Sequence, residues 1–181
     1  IDFDHIQEVE FDNPFGITTG AAALFGATGG VTEAALRTVY EVVNKKPLES
    51  LDFNDVRGLK GIKEAEVDLG GTMVKVAVSY SLSNARTLIE EVIAGNSPYT
   101  FIEIMACPGG CIGGGGQPYG TTNDVRLERI ASTYMIDGNM VYRKSHENPA
   151  IKALYKDYLV EPNSKRAHHL LHTEYFYRKQ Q

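Results

Sequence analysis

The order of the predicted elements indicates an α/β fold, with a mixed sheet flanked by helices and a C-terminal helical wrapping arm. Three observations carry this prediction. An apolar helical face begins at Val31, two strand-like runs meet at Gly70–Gly71, and the β-rich run YTFIEIMA leads into a glycine-rich loop that holds both cysteines. In α/β proteins the chemistry usually lies at the carboxyl ends of strands, and this order places Cys107 there.

The first long helix is predicted to run from Val31 to about Asn44 and to end before Pro47. The apolar residues that recur on one of its faces are Val31, Ala35, Val39, Val42 and Val43. The preceding run FGATGG is not a phosphate-binding P-loop, because no Gly-Lys-Ser/Thr follows it. By itself it predicts an ordinary glycine turn before a helix.

A hairpin and a second helix follow. The run MVKVAVSY alternates apolar and polar residues, and the pair Gly70–Gly71 before it is a hairpin signal. The segment SNARTLIEEVIAGN is predicted to be a helix, with Ser81 or Ser83 as its N-cap and Gly95 at its end. The strand YTFIEIMA comes next and completes the α/β order.

Beyond Pro118 the sequence predicts three helices joined by polar links: DVRLERIASTYM, NPAIKALYKDYL and SKRAHHLLHTEYF. Asn148 is typical of an N-cap, with Pro149 at the first helical position. These three helices are too small a set to form a hydrophobic core alone, so they are expected to wrap around residues 1–120. The predicted domains are therefore residues 1–120 and the arm 121–181.

Composition excludes some classes of protein. The net charge of −5 argues against a general nucleic-acid binder. No apolar run approaches the roughly 18 residues that a membrane span needs, and the acidic start IDFDHIQEVE does not resemble a signal peptide. We therefore expect no membrane span and a cytoplasmic location. Because the sequence lacks a starting Met, the chain is expected either to be processed or to begin inside a longer one.

The two cysteines, Cys107 and Cys111, are separated by three residues and surrounded by glycine. A disulfide across so short a loop is sterically awkward, and two ordinary buried thiols would leave the glycines unexplained. A thiol redox switch would need exposed cysteines of low pKa, for which this setting gives no support. A metal cluster accounts for the glycines, because its sulfurs need nearby backbone N–H groups without obstructing side chains. Two thiolates do not complete a four-cysteine cluster, so further ligands must come from elsewhere.

Three segments resemble one family. FIEIMACPGGCIGGGGQP resembles the third cysteine signature of the iron-only, or [FeFe], hydrogenases, and GAAALFGATGGVTEAALRT resembles a second segment of their catalytic domain. RKSHENPA and KRAHHLLHTEYF resemble the small-subunit region of that family. Because the segments follow the family's order, residues 1–120 are expected to form half of the H-cluster domain and residues 121–181 a small-subunit-like arm.

The resemblance implies a [4Fe–4S] cubane joined through one cysteine to a diiron unit with CO, cyanide and a bridging dithiolate amine. Cys107 matches a terminal cubane ligand, Cys111 matches the bridging cysteine, and Met105 matches a thioether beside the diiron unit. The residues that match the wall of its pocket are Phe25, Gly26 and Val31. The family splits H2 heterolytically at this centre, so Cys111 and Met105 are the expected catalytic positions. The start of the helix at Val31 is further expected to offer free N–H groups to the anionic cyanides.

The sequence departs from the family in two respects. The first two cysteine signatures, the cysteine of the proton relay and a cyanide-holding lysine are absent from these residues. An upstream hydrogenase segment or a separate chain is therefore expected to supply two more cluster cysteines, and ferredoxin-like domains or subunits to carry electrons. Thr32 stands where the resemblance leads us to expect Met, and it is expected near the pocket rim.

Two function classes follow from these residues. The first is part of an [FeFe]-hydrogenase catalytic subunit that converts H2 into two protons and two electrons. The alternative is a noncatalytic, hydrogenase-like iron–sulfur protein of cytosolic iron–sulfur assembly. Met105 and Phe25 favour the enzyme, because they would line a diiron pocket. His168 and His172 have a helical spacing that can bind metal, but without an acidic partner they predict a surface or packing role.

Overall fold

The computed structural model of the 181-residue chain describes residues 1–9, 16–174 and 176–177. The chain divides into two compact units, Thr19–Ser145 and a second unit made of Ile1–Thr18 with His146–Gln181. The helices and strands of the unit Thr19–Ser145 are, in chain order, α1 (Gly20–Leu24), α2 (Gly30–Asn44), β1 (Ile62–Leu69), β2 (Thr72–Tyr80), α3 (Leu82–Ile93), β3 (Phe101–Met105) and α4 (Asn123–Asn139). Those of the second unit are α5 (Pro149–Leu154), a π-helical turn (Tyr155–Leu159) and α6 (Lys165–Leu171).

The three strands form one mixed sheet in the order β1-β2-β3, which confirms the predicted α/β class. β1 and β2 are antiparallel and meet at Gly70–Gly71, where both glycines have positive φ, as the hairpin signal predicts. β2 and β3 are parallel, with Val76 paired to Phe101 and Tyr80 to Met105. α3 lies between these two strands in the chain and provides the crossover that a parallel pair requires.

The main apolar core lies between α2 and one face of the sheet. Leu36 of α2 packs against Val56 and against the buried side chains of β1 and β2, which are Ala65, Val67, Val76 and Val78. α2 begins at Gly30 and ends at Asn44, within one residue of the predicted bounds. This packing holds the start of α2 over the sheet, close to the end of β3.

The helices after Pro118 do not all belong to one unit. α4 packs against α1 within the unit Thr19–Ser145, although the predicted domain boundary lies after residue 120. In the second unit Asn148 caps α5 as predicted, since its side-chain oxygen accepts hydrogen bonds from the backbone N–H groups of Ala150 and Ile151. α6 ends at Leu171, earlier than predicted, because the backbone of His172 is extended. Among the described residues, no helix combines the length and apolar character required to cross a bilayer.

Candidate metal centre

β3 delivers the cysteine loop, which we define as residues 106–120. Cys107 follows the end of β3 by two residues, as predicted, and its side chain is partly buried. Cys111 is exposed, begins a short 3₁₀ turn, and like Cys107 is a free thiol. Both cysteines therefore follow the carboxyl end of β3, an edge strand of the sheet, and neither forms a disulfide.

Backbone hydrogen bonds shape this loop into consecutive tight turns. The N–H of Gly110 donates to the carbonyl of Cys107 at 3.0 Å, and the N–H of Gly114 donates to the carbonyl of Cys111 at 3.1 Å. From α4, Arg129 donates to the carbonyl of Ile112 at 2.6 Å. The loop is thus held by its own backbone and by a cationic side chain from the neighbouring helix.

Two glycines of the loop are required by close approach. Gly110 has φ of +94°, and a Cβ there would lie 2.8 Å from the sulfur of Met105 and 2.8 Å from the carbonyl oxygen of Gly26. A Cβ on Gly114 would lie 3.1 Å from the sulfur of Cys107. A side chain at either position would displace Met105 or Cys107, two of the residues that the sequence assigns to the site.

The wall loop, residues 25–30, connects α1 to α2 and lies against the cysteine loop. The N–H of Ile112 donates to the carbonyl of Gly26 at 3.1 Å, and the N–H of Thr28 donates to the carbonyl of Gly109 at 3.0 Å. These two bonds run in opposite directions between the loops and fix one to the other. The wall loop and the cysteine loop, which are about 80 residues apart in sequence, are thereby joined at the predicted site.

The predicted pocket residues take different environments in this arrangement. Met105 is partly buried, and its sulfur lies 3.6 Å from the hydroxyl of Thr28, which donates to it. Gly26 contacts the cysteine loop directly through its carbonyl, and Phe25 beside it is 48% exposed. Val31 lies in the first turn of α2 and is partly buried. The structure thus brings Gly26 and Met105 to the cysteines, and leaves much of Phe25 at the surface.

The start of α2 differs from the sequence prediction. An internal anion already occupies it, because the carboxylate of Glu103 accepts hydrogen bonds from the N–H of Gly29 at 2.7 Å and from the N–H of Thr32 at 2.8 Å. The expectation that these amides are free for cyanide was therefore wrong. Thr32, which is expected near the pocket rim, is fully buried here, and its hydroxyl donates to Glu103 at 2.7 Å.

A buried lysine accompanies this carboxylate. The ammonium of Lys63 donates to the carbonyl of Thr28 at 2.9 Å and to the carbonyl of Gly58 at 3.0 Å. Burial lowers the pKa of Lys63 to about 8, and the negative charge of Glu103 partly offsets that effect. Lys63 therefore stays mostly protonated at neutral pH. Neither Lys63 nor Glu103 was identified from the sequence.

A second buried ion network lies between α2 and α4. Arg37 binds Asp137 through both of its terminal nitrogens, at 2.8 and 2.9 Å, and binds Glu33 at 2.7 Å. Arg143 donates to the same Asp137 carboxylate at 2.6 Å. Burial acts to raise the pKa of Asp137, but the hydrogen bonds from the two arginines outweigh it and hold this pKa below its usual value. This network joins α2 to α4 and lies outside the contacts of the two loops.

The histidines of the second unit form a separate group. His168 and His172 are both exposed, and their ring centroids lie 4.3 Å apart in a tilted arrangement. They line a surface pocket at the end of α6 together with His169 and Glu174. The exposed positions agree with the surface role that the sequence predicts.

Comparison with known proteins gives matches along nearly the whole chain. The family model described as iron only hydrogenase large subunit, C-terminal domain, matches residues 1–115, and the iron hydrogenase small subunit model matches residues 123–178. The chain is 50% identical over 181 residues to NADP-reducing hydrogenase subunit HndD of Solidesulfovibrio fructosivorans, covering 99% of this chain and 31% of that protein. It is 32% identical over 161 residues to cytosolic iron-sulfur assembly component 3 of Rattus norvegicus, covering 83% of this chain and 31% of that protein.

Among solved structures, a variant of the [FeFe]-hydrogenase HydA1 from Chlamydomonas reinhardtii matches with a TM-score of 0.74 and 41% identity. That match covers 97% of this chain and 51% of the HydA1 chain. The present chain therefore spans about a third of the length of HndD and about half of the HydA1 chain. With its mixed sheet, its cysteine loop and its matches to both subunit models, the chain belongs to the [FeFe]-hydrogenase family, in the C-terminal region of its proteins.

Proposed function

We propose that this chain is the C-terminal part of an [FeFe]-hydrogenase catalytic subunit, in which it supplies half of the protein ligands of the metal centre. The observation that carries this proposal is the pairing of the wall loop with the cysteine loop. Two backbone hydrogen bonds between them bring Gly26 and Met105 to the turn that contains Cys107 and Cys111. A pocket wall and two thiols are thus assembled from distant parts of the sequence.

The residues present fit half of an iron–sulfur centre. Thiolates are the usual ligands of iron–sulfur clusters, and both thiols here are free and not fully buried. Gly114 leaves space beside the sulfur of Cys107, and Gly115 and Gly116 have no other atoms of the described chain within 4 Å of an added Cβ. The backbone around the cysteines therefore provides the room that a bulky cluster needs.

Each residue has a role in this proposal. Cys107 would be a terminal ligand of a [4Fe–4S] cubane, and Cys111 would be the ligand that joins the cubane to a diiron subcluster, which would carry CO, cyanide and a bridging dithiolate amine. When bound, this group supplies the reversible heterolytic cleavage of H2 into two protons and two electrons. Met105 presents its thioether to the pocket, and the hydroxyl of Thr28 holds the sulfur in place. The residues that form the pocket wall and exclude water are Phe25, Gly26 and Val31.

The partners follow from what these residues lack. Two more cluster cysteines come from an upstream hydrogenase segment or a separate chain, and ferredoxin-like domains or subunits transfer the electrons. The share of the relatives that this chain spans, 31% of HndD and 51% of HydA1, supports a need for further protein. Residues 1–120 are proposed as half of the H-cluster domain and 121–181 as the small-subunit-like arm. Cell fractionation would test the cytoplasmic location that belongs to this proposal.

A second candidate function is a noncatalytic role in iron–sulfur cluster assembly. The 32% identity to the rat cytosolic iron-sulfur assembly component supports it. The two candidates differ in the diiron subcluster, because its CO and cyanide ligands absorb in the infrared where protein does not. A mature full polypeptide with a cubane and no such bands would overturn the hydrogenase proposal in favour of the assembly role.

The two cysteines give a sharper test, because they are proposed to have different roles. Cys111→Ala should abolish the CO and cyanide bands and H2 turnover while leaving a cubane in part of the protein. Cys107→Ala should lower the cubane content itself, since it removes a terminal ligand. The measurements are iron content, electron paramagnetic resonance of the cubane and infrared spectra, on both variants of the full polypeptide after maturation. Full CO and cyanide bands with activity in Cys111→Ala would show that the bridging assignment is wrong.

A further inference from the structure

We propose that Glu103 and Lys63 form a buried pair of positioning residues that holds one peptide group of the wall loop at both of its ends. We call this pair the peptide clamp. The importance of the clamp for the metal centre rests on the proposed function, whereas its action on the wall loop rests on the structure alone.

The clamped group is the peptide unit between Thr28 and Gly29. Its carbonyl oxygen accepts a hydrogen bond from the ammonium of Lys63 at 2.9 Å, and its N–H donates to the carboxylate of Glu103 at 2.7 Å. In a trans peptide these two groups point in opposite directions from one rigid plane. A cation at one end and an anion at the other therefore fix the orientation of the whole plane.

Glu103 also extends the clamp to α2. Its second carboxylate oxygen accepts hydrogen bonds from the N–H and the hydroxyl of Thr32, at 2.8 and 2.7 Å. Glu103 is 6% exposed and Thr32 is fully buried, so these charge-assisted bonds are shielded from water. A Met at position 32, which the family resemblance leads us to expect, has no hydroxyl to give to Glu103. Thr32 therefore adds one hydrogen bond to the clamp that Met would not provide.

The sheet places both charges under the wall loop. Lys63 of β1 pairs with Val78 of β2, and Val78 pairs with Glu103 of β3, so these three residues form one row across the three strands. The wall loop lies tightly on this row. Gly29 has φ of +99°, and a Cβ there would lie 2.0 Å from the carbonyl oxygen of Val56. Such close contact leaves the loop little freedom to shift along the sheet.

The clamped peptide connects directly to the proposed site. The N–H of Thr28 donates to Gly109 of the cysteine loop, and its hydroxyl donates to the sulfur of Met105. Glu103 and Met105 are two residues apart on β3, so their side chains lie on the same face of the sheet. Cys107 follows Met105 by two residues. A rotation of the peptide between Thr28 and Gly29 would therefore move the contacts of both Met105 and the cysteine loop.

The two charges make their hydrogen bonds to the backbone of the wall loop and of its neighbours. An apolar residue in place of Glu103 would leave the buried N–H groups of Gly29 and Thr32 without their acceptor. The pair supplies directional bonds that set the wall loop in one position, which is what a pocket for a small, rigid metal group requires.

The test compares the clamp with an exposed ion pair on the same sheet. The clamp variants are Glu103→Gln, Lys63→Met, their double variant and the milder, isosteric Thr32→Val, with Thr32→Ser retaining the hydroxyl. The matched controls are Glu64→Gln and Lys75→Met, because Glu64 and Lys75 form a partly exposed ion pair with an N–O distance of 3.1 Å. All variants are made in the full polypeptide that includes the upstream segment.

The first readout is amide hydrogen exchange in the protein without its metal centre, followed at Gly29 and Thr32. Glu103→Gln should accelerate exchange at both amides by about tenfold or more, because it removes the charge that assists both hydrogen bonds and leaves one acceptor oxygen for two N–H groups. Thr32→Val should accelerate exchange less, Thr32→Ser should restore it, and the control variants should leave it unchanged. Lys63→Met should have a smaller effect in the Glu103→Gln background than alone, because the two residues hold the same peptide. Unchanged exchange in folded Glu103→Gln or Thr32→Val would overturn the clamp.

The second readout is the infrared spectrum of the mature protein with its CO and cyanide bands. The clamp variants should shift these bands, and the control variants should not. Faster amide exchange with unshifted bands would overturn the role of the clamp in positioning the metal centre. If even the unaltered protein showed no CO or cyanide bands, the proposed function would fail, while the exchange data would still decide whether Glu103 and Lys63 hold the wall loop.

Discussion

From Gly109 to Gly114 the glycines of the cysteine loop lie against other atoms of this chain, whereas from Gly115 to Gly120 they lie in open space. A Cβ on Gly113 would come within 2.4 Å of the carbonyl oxygen of Pro108. By contrast, a Cβ on Gly115 would meet no atom of the described chain within 4 Å. We refer to residues 109–114 as the inner half and to residues 115–120 as the outer half of the cysteine loop.

The difference shows that glycine serves two separate purposes in one short segment. Positive φ occurs in both halves, but in the inner half glycine also allows close packing, at Gly110 against the wall loop and at Gly113 and Gly114 within the cysteine loop itself. In the outer half the described chain imposes no packing requirement of this kind. The neighbours that the outer half needs are, in our proposal, the metal centre and the protein segment that completes it.

The largest effect is expected from Gly110→Ala in the inner half. Its φ of +94° strains an alanine, and the added Cβ would lie 2.8 Å from both Gly26 and Met105. We expect the free energy of unfolding to fall by about 3 kcal/mol or more, measured by urea denaturation of the metal-free protein.

Gly71→Ala is the matched control for this prediction. Gly71 has a similar φ of +87°, but a Cβ there meets no described atom within 4 Å. Gly71→Ala should lower the free energy of unfolding only by the backbone strain, which is about 1 kcal/mol. An equal cost for the two variants would mean that the inner half is not as tightly packed as the structure shows.

An intermediate effect is expected from Gly114→Ala, at the edge of the inner half. Its φ of −93° suits alanine, so the backbone is not strained. The new Cβ would lie 3.1 Å from the sulfur of Cys107 and would force that thiol to move. We expect the metal-free protein to lose no more than about 1 kcal/mol of unfolding free energy, while reconstitution incorporates clearly less iron. Normal iron content would indicate that the sulfur of Cys107 has room to adjust.

The smallest effect is expected from Gly115→Ala in the outer half. The added methyl group would contact nothing in the described chain, and the φ of Gly115 is not positive. The unfolding free energy of the metal-free protein should therefore stay within about 0.5 kcal/mol of its original value, again by urea denaturation. A loss well above that value would show that the outer half packs on this chain after all, and would remove the distinction between the halves.

Local patterns were sufficient to predict much of the fold. The repeat of apolar residues from Val31 to Val43 is long enough to identify α2, and the glycine pair at Gly70–Gly71 identifies the hairpin. The predicted apolar face was wrong in part, since Val39, Val42 and Val43 are exposed and Leu36 packs the core instead. The position of Cys107 after β3 followed from the same order of elements. The family resemblance then supplied the candidate site residues, whose contacts with one another only the structure could show.

The peptide clamp was not predicted, although β1 carried a signal for its lysine. Lys63 alternates in phase with the buried Ala65 and Val67, which points its side chain inward. For Glu103 the phase is no guide, because both faces of β3 carry apolar residues. Charged residues are rarely buried without a partner, however, and here the partners are backbone groups of the wall loop, distant in sequence. Tertiary pairing of this kind leaves no local pattern, which is also why the hydrogen bond between Thr32 and Glu103 was not predicted.

The ion pair between Arg37 and Asp137 connects two segments that match different family models. Arg37 lies in the segment that matches the large-subunit model, and Asp137 lies in the segment that matches the small-subunit model. In two separate polypeptides, this contact would have to offset the translational and rotational entropy of association. Because one polypeptide carries both segments, α4 meets α2 at an effective concentration that the connecting residues fix. Dilution of the protein is therefore not expected to weaken this contact between α2 and α4.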